Sequence, residues 1–126
     1  MEKKPDMSSK KILVIDDDPD VRMTLALRLE SFGYVMVWAK NGADGYEKTK
    51  RWKPDLILLD FSMPDETGID VLKKLRAETS VKGIPVVMLT GREEFEKDCR
   101  DAGAADYITK PFDLFHLKEI LSKFLQ

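Results

Sequence analysis

The chain has 126 residues, 43% hydrophobic and 35% charged, the balance of one soluble globular domain large enough for a real core and too apolar for disorder. Its 21 Lys and Arg against 23 Asp and Glu leave a net charge of −2, which gives no reason to expect nucleic-acid binding. A lone Cys99 excludes an intrachain disulfide, no apolar run approaches the ~20 residues of a membrane span, and the polar amino terminus lacks a signal peptide's hydrophobic segment, so a cytoplasmic location is expected.

Residues 1–10 are polar and read as a disordered lead-in, with one domain over 11–126. Residues 11–15 form the first short apolar run, a strand candidate. Val21, Leu25, Leu29 and Phe32 recur at helical spacing, with Pro19 suited to the first turn and Gly33 as a stop. Tyr34–Trp38 is β-rich, and Asn41-Gly42 turns into a helix reaching about Trp52. After Lys53-Pro54-Asp55 comes the apolar run Leu56–Leu59, ending in Asp60. A loop over 61–68 precedes a helix carrying Ile69, Leu72 and Leu75. Ile84–Leu89 ends in Thr90, and residues 92–102 carry charge on several faces, as an exposed helix does. Ala104–Ile108 is a fifth strand candidate before Thr109-Lys110-Pro111. The last helix, from about Asp113 to Phe124, places Leu114, Leu117, Ile120, Leu121 and Phe124 on one face. Five strands alternating with five helices predict an α/β fold with an open parallel sheet, helix-covered on both faces and joined by right-handed crossovers.

Two of the apolar runs stop abruptly in acid: Ile12–Ile15 runs into Asp16-Asp17-Asp18, and Leu56–Leu59 runs into Asp60. Ligands of parallel sheets sit beyond the carboxyl ends of the strands. Two strands therefore deliver carboxylates to one rim, where ionised pairs repel by about 4 kcal/mol at an effective dielectric near 20. Such a gathering calls for a cation, and a hard metal ion is the natural one.

The segments Ile12–Pro19, Leu58–Pro64, Met88–Gly91 and Tyr107–Phe112 closely resemble the receiver domain of two-component response regulators, in the family's order and spacing, over residues 11 to about 125. The resemblance implies a flavodoxin-like, doubly wound fold with strand order 2-1-3-4-5. It implies that Asp60 takes a phosphoryl group from the phosphohistidine of a sensor histidine kinase or histidine phosphotransfer protein. Asp16, Asp17, Asp60 and the main-chain carbonyl of Ser62 are the implied Mg²⁺ ligands, and Thr90 and Lys110 the implied partners of the phosphoryl oxygens. Tyr107 matches the switch aromatic that moves inward with Thr90. Ser62 and Arg92 occupy places where side chains govern water's access to the phosphoryl group. The Lys110-Pro111 bond matches one the family holds in cis. The resemblance implies an output face of the fourth helix, fifth strand and fifth helix, regulating a downstream protein or a fused output domain. The resemblance implies a phosphoacceptor rather than a turnover enzyme, and no nucleic-acid or membrane contact of its own is expected.

Several residues carry blander expectations. Asp18 reads as a helix cap or turn residue. An EF-hand loop starting at Asp16 fails, with Val21 at the glycine position and Leu27 at the terminal glutamate. His116 is a partly exposed helix residue rather than a donor, Cys99 an inert side chain, and Trp38 and Trp52 packing residues of core or rim. The rivals are a small haloacid-dehalogenase-type phosphatase, which Asp16 and Asp18 superficially fit, and a receiver-like binding module that no longer accepts phosphate. Against the first stands Asp20 where Thr or Val is needed; against the second, the intact set of Asp17, Asp60, Thr90 and Lys110.

Overall fold

Apolar runs of five residues that alternate towards two helical layers give strands buried on both sides, and three of the five strands in the computed structural model are of this kind, the two edge strands being half-buried. It describes residues 9–125 apart from 65 and 92, so the Arg92 expectation and most of the predicted lead-in lie outside the described residues. The strands are β1 (Lys11–Ile15), β2 (Val35–Ala39), β3 (Leu56–Asp60), β4 (Val86–Thr90) and β5 (Asp106–Thr109). Between and after them lie α1 (Pro19–Ser31), α2 (Gly42–Trp52), α3 (Gly68–Ala77), α4 (Glu96–Asp101) and α5 (Leu114–Phe124). All strands pair in parallel in the order β2-β1-β3-β4-β5, as expected.

The two-residue period of the strands divides the core. Ile12, Val14, Leu56, Leu58, Val87, Leu89 and Ile108 pack with Leu25 and Leu29 of α1 and Leu117, Ile120 and Leu121 of α5. Leu13, Ile15, Ile57, Leu59, Val86 and Met88 pack on the other side with Val71, Leu72 and Leu75 of α3 and Cys99 of α4. β3 and β4 are buried at every residue, which is why their sequences read as continuous apolar runs.

The buried face of α3 is Gly68, Val71, Leu72 and Leu75, the i, i+3, i+4, i+7 stripe, with Ile69 half-buried beside it. Helices α4 and α5 differ from their expected patterns. Leu114 is 42% exposed, because it sits roughly 70° from the centre of the stripe formed by the other α5 residues at 100° per residue. The charged segment after β4 is a 3₁₀ turn, Glu93–Phe95, followed by the six-residue α4. Phe95 stands at its N-cap and provides no capping oxygen, so the start of the helix tightens into 3₁₀ geometry. Gly33 ends α1 with φ of 91°, a left-handed conformation that glycine adopts without strain. No helix among the described residues is long and apolar enough to cross a membrane.

Candidate functional site

In-register parallel pairing brings the carboxyl ends of β1, β3, β4 and β5 to one rim. Ile15 pairs with Leu59, Asp60 with Leu89 and Thr90 with Thr109, so the residues that follow them meet. Asp16, Asp17 and Asp60 each bring a carboxylate oxygen within 4.8 Å of the others. Asp16 is fully buried, Asp60 is 6% exposed, and Asp17 faces solvent.

Asp16 is held on every side. Its N–H donates to Ala39 O at 3.1 Å and its carbonyl accepts from Trp38 Nε1 at 2.7 Å. Its Oδ1 accepts the Asp18 N–H at 2.9 Å, and its Oδ2 accepts from Lys110 Nζ at 3.1 Å. Asp60 Oδ1 accepts from the same ammonium at 3.0 Å and from the Ser62 N–H at 3.3 Å. Lys110 thus reaches from the end of β5, across β4, to carboxylates on β3 and β1. The Lys110–Pro111 peptide is cis, as expected.

Burial first, then the charge of Asp16, pushes the Asp60 carboxyl up to about 6, with Lys110 opposing. Burial alone would pull the Lys110 ammonium down, but Asp60 and Asp16 together outweigh it and leave it raised. Lys110 therefore stays charged while Asp60 titrates. Three carboxylates against one ammonium leave a formal charge near −2 when all are ionised. That oxygen-only, under-neutralised set fits a hard divalent cation such as Mg²⁺.

The cluster opens into a cleft of about 650 Å³. Asp17, Asp60, Ser62, Thr90 and Lys110 line its polar side, and Pro19, Phe61 and Phe95 its apolar side. Thr90 is 2% exposed at the end of β4, and its carbonyl accepts the Lys110 N–H at 2.7 Å. Ser62 is fixed by an antiparallel bridge to Thr67. Tyr107, on β5, pairs with Met88, packs at the edge of the α3-side core and lies 5.7 Å beneath the guanidinium of Arg100.

Residues 12–122 match the response regulator receiver domain family. The chain belongs to that family. It is 38% identical over 108 residues to the phosphate regulon transcriptional regulatory protein PhoB of Pseudomonas aeruginosa, with 84% of this chain and 47% of that protein covered. The chain spans less than half the length of that relative. Among solved structures it resembles the Vibrio cholerae chemotaxis protein CheY4, at a TM-score of 0.86 and 28% identity, over 92% of this chain and 98% of that one. The receiver domain of a sensor histidine kinase from Pseudomonas aeruginosa matches with a TM-score of 0.86 and 27% identity, over 93% and 98% of the two chains, and that structure holds a magnesium ion in its active-site cleft. The fold and family expected from the four motifs are therefore those of the chain: it is a receiver domain of the two-component type.

Within this receiver, the acidic turn, Asp60, Thr90 and Lys110 converge, and the residues given blander readings take other parts. Asp18, which invited the phosphatase reading, caps α1 by accepting the Asp20 N–H at 2.9 Å, and also borders the cleft. His116 lies on α5 beside a separate shallow cleft with Asp106, Glu119 and Lys123. Cys99 is fully buried, and burial, reinforced by Asp98, raises its thiol, so it stays protonated.

Three contributors went unnoticed in the sequence. Gly68 packs so tightly that a Cβ there would strike the carbonyl oxygen of Asp60 and the Met88 methyl. Its N–H also donates to Phe61 O at 2.8 Å. A glycine opening a helix just after the acidic loop is the only linear trace of this contact. Phe61 stacks on Phe95 with centroids 4.6 Å apart and an interplanar angle of 16°, a pairing across 34 residues with no linear signal. The indole bond from Trp38 to Asp16 is equally non-local.

Proposed function

We propose that the chain accepts a phosphoryl group onto Asp60 from the phosphohistidine of a sensor histidine kinase or histidine phosphotransfer protein, in a Mg²⁺-dependent reaction. The observation that carries this is the Lys110 ammonium bridging Asp60 and Asp16 at 3.0 and 3.1 Å inside a buried acidic cluster. A carboxylate oxygen of Asp60 attacks phosphorus in line with the P–N bond. The departing ring nitrogen keeps the bonding pair, and the imidazole leaves neutral because its other nitrogen carries a proton. The carboxylates of Asp16, Asp17 and Asp60 and the carbonyl of Ser62 would hold Mg²⁺, which when bound would supply neutralising charge for the transferring oxygens. The raised Asp60 carboxyl makes it a stronger base than a surface aspartate, yet it is largely ionised at neutral pH.

The Lys110 ammonium and the Thr90 hydroxyl hold the phosphoryl oxygens once transfer is complete. Tyr107 then moves inward, and the face built from α4, β5 and α5 changes its fit to a downstream protein or a fused output domain. The side chains of Ser62 and Arg92 set water's access to the acyl phosphate. The receiver, over 11–126, makes no nucleic-acid or membrane contact in this scheme, acts in the cytoplasm and is labelled once rather than turning over.

Incubation with Mg²⁺ and a small phosphodonor, followed by intact-mass measurement, tests the scheme. Wild type gains the mass of one phosphate and Asp60→Asn gains none. Equal labelling of the two proteins, or none of wild type, overturns it.

A further inference from the structure

We propose that Trp38, on the second strand and outside the receiver motifs, is a positioning residue for the acidic turn. Its indole N–H holds the carbonyl of Asp16, and so sets the peptide plane that presents Asp17 to a divalent cation. The inference rests on the function proposed above.

Trp38 Nε1 lies 2.7 Å from Asp16 O, a short bond for an N–H donor. The Asp16 N–H is tied to Ala39 O at 3.1 Å, one residue further along the same strand. β2 therefore grips both ends of Asp16. The peptide linking Asp16 to Asp17 is planar and rigid, so fixing its oxygen fixes where the Asp17 nitrogen and Cα lie. Asp16 needs no such help, since its carboxylate is anchored by the Asp18 N–H and Lys110. Asp17 is the exposed member of the cluster, and its placement depends on the main chain before it.

The indole is itself braced. The Arg22 guanidinium of α1 lies 3.9 Å from the ring centroid. Lys48 of α2 donates to Trp38 O at 2.7 Å and pairs with Asp44 at 3.2 Å. Arg22 of α1 thus braces the ring, Lys48 of α2 ties the main chain that carries it, and the ring holds the turn. A packing residue at the rim would require only its apolar surface. The directed N–H bond to a ligand-bearing peptide is what packing alone leaves unexplained. Outer partners of metal-ligand groups commonly change metal affinity by a factor of ten or more when removed.

The test removes the donor and keeps the ring. Trp38→Phe and the isosteric benzothienyl replacement at position 38, which has sulfur in place of N–H, are compared with wild type by Mg²⁺ titration calorimetry. We expect about fivefold to tenfold weaker Mg²⁺ binding in both. The benzothienyl protein keeps the volume and the Arg22 stack, so it remains informative if the phenylalanine variant folds poorly. In a Trp52→Phe background, where Trp38 is the only tryptophan, indole emission should change as Mg²⁺ is added. Mg²⁺ affinity in the benzothienyl protein within twofold of wild type overturns the positioning role and leaves the phosphoacceptor scheme intact. A wild type that binds Mg²⁺ but is not labelled on Asp60 sinks the phosphoacceptor scheme, and a wild type that binds no Mg²⁺ removes both.

Discussion

Asp60 is asked to be both buried and charged, and its raised carboxyl records the conflict. The sign of the stability effect follows directly. A carboxyl whose folded value, about 6, exceeds the unfolded value near 3.8 favours folding most when protonated. That contribution is present in full below the unfolded value and is lost as pH rises through the folded one. In metal-free protein the loss is on the order of 2 kcal/mol. Asp60→Asn has no carboxyl to ionise, so its thermal midpoint should gain several degrees on wild type between pH 4 and pH 7.5 in a chelator. A constant gap between the two proteins across that range would show that Asp60 is not destabilised by ionisation. In the proposed scheme Thr90, buried at the adjacent strand end, belongs to the readout rather than to the transfer. Thr90→Ala should label on Asp60 within about threefold of wild type, while phosphorylation no longer alters hydrogen exchange in α4, β5 and α5. An unchanged exchange response in that variant removes Thr90 from the switch.

At the scale of elements, the site depends on how the connections after β3 and β4 are fastened. Gly68 begins α3 directly against the last residue of β3, leaving no room for a methyl group. Gly68→Ala must displace either the helix or Asp60, at a cost of roughly 1–3 kcal/mol by analogy with overpacked cores. Thermal denaturation should show the loss, and Asp60 labelling should slow with it; normal labelling at reduced stability would mean that the helix moves and the acceptor does not. The Phe61–Phe95 stack ties the residue after the acceptor to the 3₁₀ turn at the mouth of the cleft. Phe95→Ala forfeits about 0.5–1.5 kcal/mol of ring pairing and opens the apolar wall. We expect the acyl phosphate to hydrolyse several-fold faster, with Phe95→Tyr restoring the wild-type lifetime. These fastenings also mark where linear sequence stops informing. The strand-end residues Asp16, Asp60 and Thr90 were legible because a buried parallel strand announces its own end by a change from apolar to polar, whereas Lys110, after the half-buried β5, was legible through the Thr109-Lys110-Pro111 motif. Gly68 under Asp60, Phe95 on Phe61 and Trp38 on Asp16 are contacts between elements, set by how the layers pack rather than by any local period. The same limit misplaced Leu114: a helical stripe gives a face, but the sheet decides its centre.

For the whole molecule, the question is how far one phosphoryl group can move the fold. A two-state element needs about 5.5 kcal/mol to pass from 1:99 to 99:1, and a hydrogen bond to a charged group contributes about 1.5–3 kcal/mol. Counting Thr90 and Lys110 as two new bonds would come close to that requirement. The geometry lowers the count, because Lys110 already bonds Asp60 and Asp16 before any phosphoryl group arrives. On phosphorylation it exchanges acceptors rather than gaining its first one. The drive is then smaller than two full bonds to a charged group, so the phosphorylated chain alone should be only partly switched. Backbone amide spectra of α4 and β5, recorded with Mg²⁺ and an excess of phosphodonor, should lie between two limiting positions or show exchange between them. Adding the target of the α4–β5–α5 face should then complete the shift and lengthen the time the phosphoryl group is retained. Lys110→Arg supplies the decisive comparison. A guanidinium keeps the charge but not the compact ammonium that fits between the two carboxylates. It should leave Asp60 open to slow labelling while abolishing the shift in α4 and β5. A phosphorylated wild type fully switched without a partner would show that the protein stores more of the required energy than these contacts supply.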